Sequence, residues 1–435
     1  MRKVIVSLVL FAALAALACP ASAQVPGPGG PYGSAFTVQN LDAEDAACTF
    51  SLYGASDTFE YTSGPFAITG KGSYFVYIGN LALGDGQFSA VVACDKQVAG
   101  VVNLTGPDRA GSYTAFRTAE TAPVLYPPGV YKNYSVKGFT SNLIVHNTAD
   151  EPVDIDVEIY QAGSGTPIET FTENDVPSHT AVSFDQGDLA TDGIYSSRIV
   201  ATGDVAAVVN IWNPAGQLYS YNSFNSWATV AYAPVLMNNY YGFSTALTVQ
   251  NMGTSSTEVT VTYSNDVTHS ETISPSTAYL FYTPNEGMPD GWLGSAKVES
   301  DGEPVVALIN EEGLLNRAAS YLAFTQGSTG IEAPIVMNDY YDYSTSITCQ
   351  NVGAAATDIT VTYSDPSATT STANDVPVNG TVLFYQPNVP GLPVSFNGSA
   401  IITADEDIVC IINENQVDNP AEQDWLLAYN GTDGW

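Results

Sequence analysis

Apolar and polar residues alternate with period two in short stretches along most of this chain. Leu247 and Val249 alternate with Thr248 and Gln250, and Val259, Val261 and Tyr263 alternate with Thr260 and Thr262. Val153, Ile155, Val157 and Ile159 fall on one side, with Asp154, Asp156 and Glu158 on the other. This pattern predicts strands with one buried face. Polar clusters such as residues 251–256, Asn-Met-Gly-Thr-Ser-Ser, read as the turns between them. Further strands are predicted at residues 294–300, 304–310 and 319–324. They return at residues 398–404, 407–413 and 425–429. No sustained helical period is present beyond the N-terminal segment.

The pattern repeats. Residues 233–263, APVLMNNYYGFSTALTVQNMGTSSTEVTVTY, come back at 333–363 as APIVMNDYYDYSTSITCQNVGAAATDITVTY. A weaker copy starts at Ala122, and another, SAFTVQNLDAEDAACTFSLY, spans residues 34–53. Self-similarity at a fixed period decides architecture before local reading does. The expected organisation is an N-terminal leader, 1–23, then units at 24–121, 122–232, 233–332 and 333–435. Seven or eight short strands per unit predict an all-β chain of four tandem Greek-key β-sandwich modules of immunoglobulin type. The short connection TQGSTGIE, residues 325–332, predicts a semi-rigid linear array. Unit 1 opens on Val-Pro-Gly-Pro-Gly-Gly-Pro, residues 25–31, which cannot donate regularly to a sheet. It is therefore expected to lack a first strand and to expose an edge open to strand addition, unless the segment is a flexible leader and the edge is covered.

Residues 1–23 read as an export signal: Arg2 and Lys3, an apolar run over 4–18, and Ala21-Ser-Ala23 before the cut. A cut before Cys19 would make a lipoprotein, but Ala16 is a poor match to that motif, and the cut after Ala23 is favoured. No later stretch is long enough to span a bilayer as a helix. The formal net charge is −34, with 45 acidic against 11 basic residues, which argues against nucleic-acid and anionic-lipid partners and keeps a secreted protein soluble. In an oxidising compartment disulfides are expected. Cys48 and Cys94 fall in unit 1, and Cys349 and Cys410 in unit 4, which favours pairing within each unit. The unit 4 bridge, joining an early and a late strand, is expected to tie the two sheets of its sandwich, while the unit 1 pair falls at other positions of the repeat.

Candidate chemistry is sparse. His146 takes a solvent-facing position in the alternation, and His179 and His269 lie in polar turns. No motif for a nucleophile elbow, P-loop, dinucleotide fold or zinc site is present, so an enzyme is not expected. Asp185, Asp188 and Asp192 form one acidic cluster, and Asp405 with Asp407 another. Either could hold Ca2+ weakly or remain solvated loop acids, since neither matches a twelve-residue calcium loop. No other cofactor is expected. Tyr240-Tyr241 recurs as Tyr340-Tyr341, suited either to packing at unit junctions or to stacking on sugar rings. Asparagines recur in every unit, at 40, 147, 251 and 351 and at 103, 210, 310 and 413, and read as structural turn residues ending strands.

The run Thr-Val-Gln-Asn-x-Gly followed by a Thr-rich strand (Val-Thr-Val-Thr-Tyr) resembles the immunoglobulin-like repeats of bacterial secreted and cell-surface proteins, the adhesion-related CARDB-type modules among them. The resemblance covers units 3 and 4 well, unit 2 in part and unit 1 weakly. It implies a role in adhesion, spacing or surface assembly and transfers no functional residue. The expectation is a secreted or cell-surface, non-enzymatic structural or adhesive protein: a stalk, coat or filament subunit. Its partners would be itself or other cell-surface components. The alternative is a secreted polysaccharide-binding protein that uses the tyrosine pairs.

Overall fold

The computed structural model describes residues 4–10, 32–54, 59–225, 228–314, 316–416 and 425–433. The proposed cleavage sites at Cys19 and Ala23, the segment 25–31 and the side chain of Asp188 lie outside the described residues. The described residues are all-β, with only short 3-10 turns between strands. Unit 3 shows the pattern most plainly. Its eight strands are Val230–Asn238, Ser244–Asn251, Thr257–Tyr263, Thr268–Ile273, Ala278–Tyr282, Trp292–Ser300, Val305–Glu312 and Ala318–Leu322. They form two four-stranded sheets. One runs first–sixth–third–fourth, and the other fifth–second–seventh–eighth. All pairs are antiparallel. The first strand thus lies beside the sixth, not beside the second as in the immunoglobulin constant-type order. The same pairings recur in units 1, 2 and 4, where the sixth and seventh strands of units 2 and 4 run on as Gly193–Trp212 and Phe396–Gln416.

One clamp explains why every unit turns alike after its second strand. Asn251 donates its side-chain amide to the carbonyls of Ser255 and Ile273, and its oxygen accepts the N–H of Gly253. Asn40, Asn147 and Asn351 make the corresponding bonds, joining the turn to the end of the fourth strand. All four are fully buried, so the clamp satisfies backbone groups that no water reaches.

The two cysteine pairs are bonded as expected, Cys48–Cys94 and Cys349–Cys410. Their placement differs from the expectation. Each pair sits directly opposite on adjacent strands of one sheet, Cys48 against Cys94 and Cys349 against Cys410 in register. Each staple therefore locks a strand pair and does not cross between sheets. The 61-residue separation in unit 4 still constrains the unfolded chain, by roughly 4 kcal/mol in the chain-entropy account.

The units do not string out into a rod. They close into a ring. The eighth strands, Ala110–Thr114, Leu218–Asn222, Ala318–Leu322 and Leu426–Asn430, each touch the two flanking ones, and that of unit 4 returns to that of unit 1. Ser112 donates across this closure to the carbonyl of Ala428 at 2.7 Å. The segment read as a linker continues directly into strand Ser328–Asn338 of unit 4. The reason for closure lies in the seventh strands. Residues Val305–Ile309 and Ile408–Ile412 are apolar without alternation and wholly buried. Strands buried on both faces carry such runs. Val305, Ala307 and Ile309 fill their own core, while Leu308 enters the core of unit 2. Val208 enters the core of unit 1, Ile411 that of unit 3 and Val101 that of unit 4. These four residues occupy one position in the repeat.

Leu308 packs so closely that a methyl on Gly129 of unit 2 would lie 3.0 Å from its Cδ2. Leu308→Ala is expected to lower unfolding free energy by about 3 kcal/mol in chemical denaturation, although the residue faces away from its own sandwich. In small-angle X-ray scattering the closed ring predicts a radius of gyration of about 22 Å, against roughly 40 Å for a linear array of the same units.

Candidate functional site

The seams between units bury several polar side chains. Each seam is built from the same parts. A serine at the start of the sixth strand donates to the carbonyl of a turn residue in the next unit: Ser89 to His179, Ser196 to Ser276 at 2.7 Å, Ser295 to Asn379 at 2.6 Å, and Ser399 back to Lys71 at 3.2 Å. All four acceptors have positive φ, between 59° and 60°. The left-handed residue turns its carbonyl out of the unit toward the neighbour, and Asn, Ser, Lys and His occupy it without glycine. The serines recur in the sequence, in FSAVV, YSSRI, GSAKV and GSAII. That recurrence was the available signal for the seam.

Residues expected to face solvent lie inside these seams. Gln39, His146, Gln250 and Gln350 hold one position on the second strand, and all are fully buried. His146 is therefore not a surface residue. The outer face of its strand is covered by the preceding unit. Gln250 donates to the carbonyl of Ser197 in unit 2 at 2.9 Å, and Gln350 to that of Ala296 in unit 3 at 3.4 Å. Gln39 donates to Glu332 of unit 4 at 3.1 Å. Lys71 completes this closing seam with an ion pair to Glu332 at 2.8 Å. His146 has no such bond among the described residues, and burial, then the nearby His179, pull its pKa down to about 4.

The second recurring asparagine does not end a strand as expected. It sits within the seventh strand and reaches across a seam. Asn413 donates to Glu311 of unit 3 at 2.8 Å, and Asn103 to Glu414 of unit 4 at 3.2 Å. Asn310 donates to the hydroxyl of Tyr131 in unit 2 at 3.2 Å. Glu311 and Glu414 are each 1% exposed. Burial raises both pKa values to about 8, opposed only in part by the amide donated to each. Sequence reading passed over these glutamates because an acid after an apolar run looks like an exposed strand end.

The acidic clusters do not converge. Asp185 accepts the N–H of Gly187 at 2.6 Å, capping a short turn, and Asp192 accepts from Asn133 at 2.8 Å. The ammonium of Lys132 binds the carbonyls of Gly187 and Leu189, the oxygens a cation would need there. Asp405 and Asp407 are exposed on one side of their strand, while Glu406 turns away to accept the N–H of Ala354. Among the described residues no group of three or more acidic, His or Cys side chains could hold a metal ion.

The two ends of the ring differ. At one end the chain leaves the eighth strands around a cavity of about 350 Å3, lined by all four units, with Phe116, Phe224, Phe324, Asn222 and Asn430 among its walls. Arg117 pairs with Glu120 at its rim, 2.7 Å apart. At the other end are the turns after the first strands. Tyr240 and Tyr340 lean on the cores of their own units, and each meets its neighbour edge to face, with ring centroids 4.8 Å and 4.7 Å apart. Tyr241 and Tyr341 are 84% and 78% exposed. Leu314 lies beside Gly242 and is also exposed, as is Val136 in the corresponding turn of unit 2. No helix among the described residues is long and apolar enough to cross a membrane. No protein-family model matches the chain, and no curated protein matches it.

The buried titrating groups predict an unusual stability profile. The unfolded chain releases the glutamate protons near pH 4.5, whereas the folded chain holds them to about pH 8. Stability is therefore lost as pH rises through this window. His146 acts in the opposite sense, costing stability as pH falls from 6.5 toward 4. Between pH 6.5 and 8 the contribution of the two glutamates falls while that of His146 is already complete. Stability is expected to fall there by on the order of 2 kcal/mol per glutamate, read as a falling Tm. Glu311→Gln and Glu414→Gln together should flatten that slope.

Proposed function

We propose that this chain is a secreted, non-enzymatic structural and adhesive protein, a compact ring of four immunoglobulin-like sandwich units that presents one end of the ring to its surroundings. The observation that carries this reading is the exposed apolar set at that end, Val136, Tyr241, Leu314 and Tyr341, which are among the most exposed large apolar side chains of the described residues. Exposed apolar groups gathered on the turns of a rigid body mark a contact surface. The CARDB-type resemblance of units 3 and 4 points the same way. Two disulfides are compatible with an oxidising, extracellular setting. A self-closing ring serves as a coat or platform component better than as a stalk, since one chain gains no length from its repeats.

A second reading is polysaccharide binding through Tyr241 and Tyr341, favoured by their exposure. Their edge-to-face pairing with Tyr240 and Tyr340 presents single rings and not a flat two-ring platform. Tyr241→Ala with Tyr341→Ala decides between indifference and contact. Retention of the purified protein on cell-surface preparations is expected to fall at least tenfold while Tm stays unchanged. Unaltered retention would remove this end as the adhesive surface, and saturable glycan-array binding lost in the double variant would favour the second reading.

A further inference from the structure

The first strand of units 2, 3 and 4 comes from each unit's own sequence, but in unit 1 it does not. Residues 25–31 are proline- and glycine-rich. The position beside the sixth strand is instead taken by Val4–Leu10, from the segment read as an export signal. The match to the other units is close. Ile5 pairs with Ala93 and Leu8 with Ala90, as Val230 pairs with Glu299 and Ala233 with Ala296. On the far side Ser7 pairs with Phe116, as Tyr232 pairs with Phe324 and Glu332 with Thr432. Two backbone edges thus face this position.

Two buried polar side chains at this position make no bond across it among the described residues. In units 3 and 4 the hydroxyls of Tyr321 and Tyr429 donate to the first-strand carbonyls of Val235 and Ile335, and in unit 2 that of Tyr221 donates to the carbonyl of Gly129, between Ala122–Leu125 and Val130–Lys132; each also accepts the N–H of the same residue. The equivalent Tyr113 is 2% exposed, and its hydroxyl has no partner among the described residues. His146 is the second. Its counterpart at the ring-closing seam, Gln39, bonds Glu332 on the first strand of unit 4. His146 is fully buried beside the backbone of His179 in its own unit, and neither ring nitrogen bonds a residue of unit 1 among the described residues. The residue that would meet it lies at Ser7's place in the slot.

We propose that, once residues 1–23 are removed on export, the first-strand position of unit 1 accepts an extended strand from a different polypeptide, apolar along its length and carrying a carboxylate at the place of Glu332. This rests on the secreted reading above. Main-chain bonds to residues 88–94 supply the affinity, as in other strand additions. The carboxylate facing His146 supplies selectivity, and the strand continues past Tyr113 to satisfy its hydroxyl. A second copy of this chain is not the donor, because the first strands of its units 2, 3 and 4 are engaged in their own sheets and residues 25–31 lack the N–H groups a strand needs.

The test uses the exported protein purified from culture medium, with its N-terminus read by mass spectrometry. The probe is a synthetic peptide copying residues 329–338, TGIEAPIVMN. Expected are saturable one-to-one binding, slowed amide exchange over residues 88–94 on addition, and roughly tenfold weaker binding when the peptide's Glu is replaced by Ala. His146→Phe should abolish that Glu preference while peptide binding persists. Cleaved protein with residues 88–94 already protected, and unchanged by peptide, overturns the slot. Concentration-dependent self-association without peptide overturns the choice of partner. Exported protein that retains residues 1–23 overturns the leader reading itself, and the mass distinguishes this from failure of the slot.

Discussion

The seventh strand of every unit is apolar on both faces, and the second of those faces has to be covered. Within one sandwich only Val305, Ala307 and Ile309 find a core. Leu308, like Val101, Val208 and Ile411, finds one only in the preceding unit. An open chain of such units would leave one apolar outer face and one incomplete core at its ends. Closing the ring joins these two defects, with Val101 of unit 1 entering the core of unit 4. Head-to-tail contacts generate rings when the rotation closes, and here four covalently linked copies complete it.

The closing seam is the one that no covalent connection holds, and its chemistry is correspondingly richer. Lys71, Gln39 and Glu332 meet there, and Asn103 reaches Glu414. The two units that meet at this seam are also the two that carry disulfides. A staple between neighbouring strands limits fraying of the end units, where linear connection supports only one side. The buried glutamates set a different constraint. Each is tolerated in its seam while protonated, so the ring is held more tightly at mildly acidic than at alkaline pH.

The proposed role rests on closure and on what closure leaves outside. Turns at one end of the ring carry exposed apolar rings, while the opposite end opens on the cavity shared by four units. A body of this kind can present several contacts at fixed spacing, which separate sandwiches on flexible tethers cannot do. Unit 1 adds an asymmetry to the ring. Its first strand is supplied from outside the repeat, at the seam where His146 is buried without a bond to unit 1 among the described residues.

Local pattern alone determined the all-β architecture, the repeat and the cysteine pairs, because period-two alternation, asparagine turns and paired cysteines within a unit are properties of neighbouring residues. The proline-rich start of unit 1 was legible too, since proline cannot donate to a ladder, but the exposed edge expected there is instead paired with Val4–Leu10. What covers an outward face is not a local property. His146 and Gln250 read as solvent-facing because alternation distinguishes the two sides of a strand but not what lies beyond either. The unbroken apolar runs at Val305–Ile309 and Ile408–Ile412 carried the signal, yet periodicity cannot name the partner of a second face. Only the tertiary structure decided that the partner is the preceding unit. It also placed Glu311 and Glu414 inside seams, set the disulfides within sheets and turned four repeats into a ring. Each of these depends on contacts between residues of different units, far apart in the chain, which no window along the sequence contains.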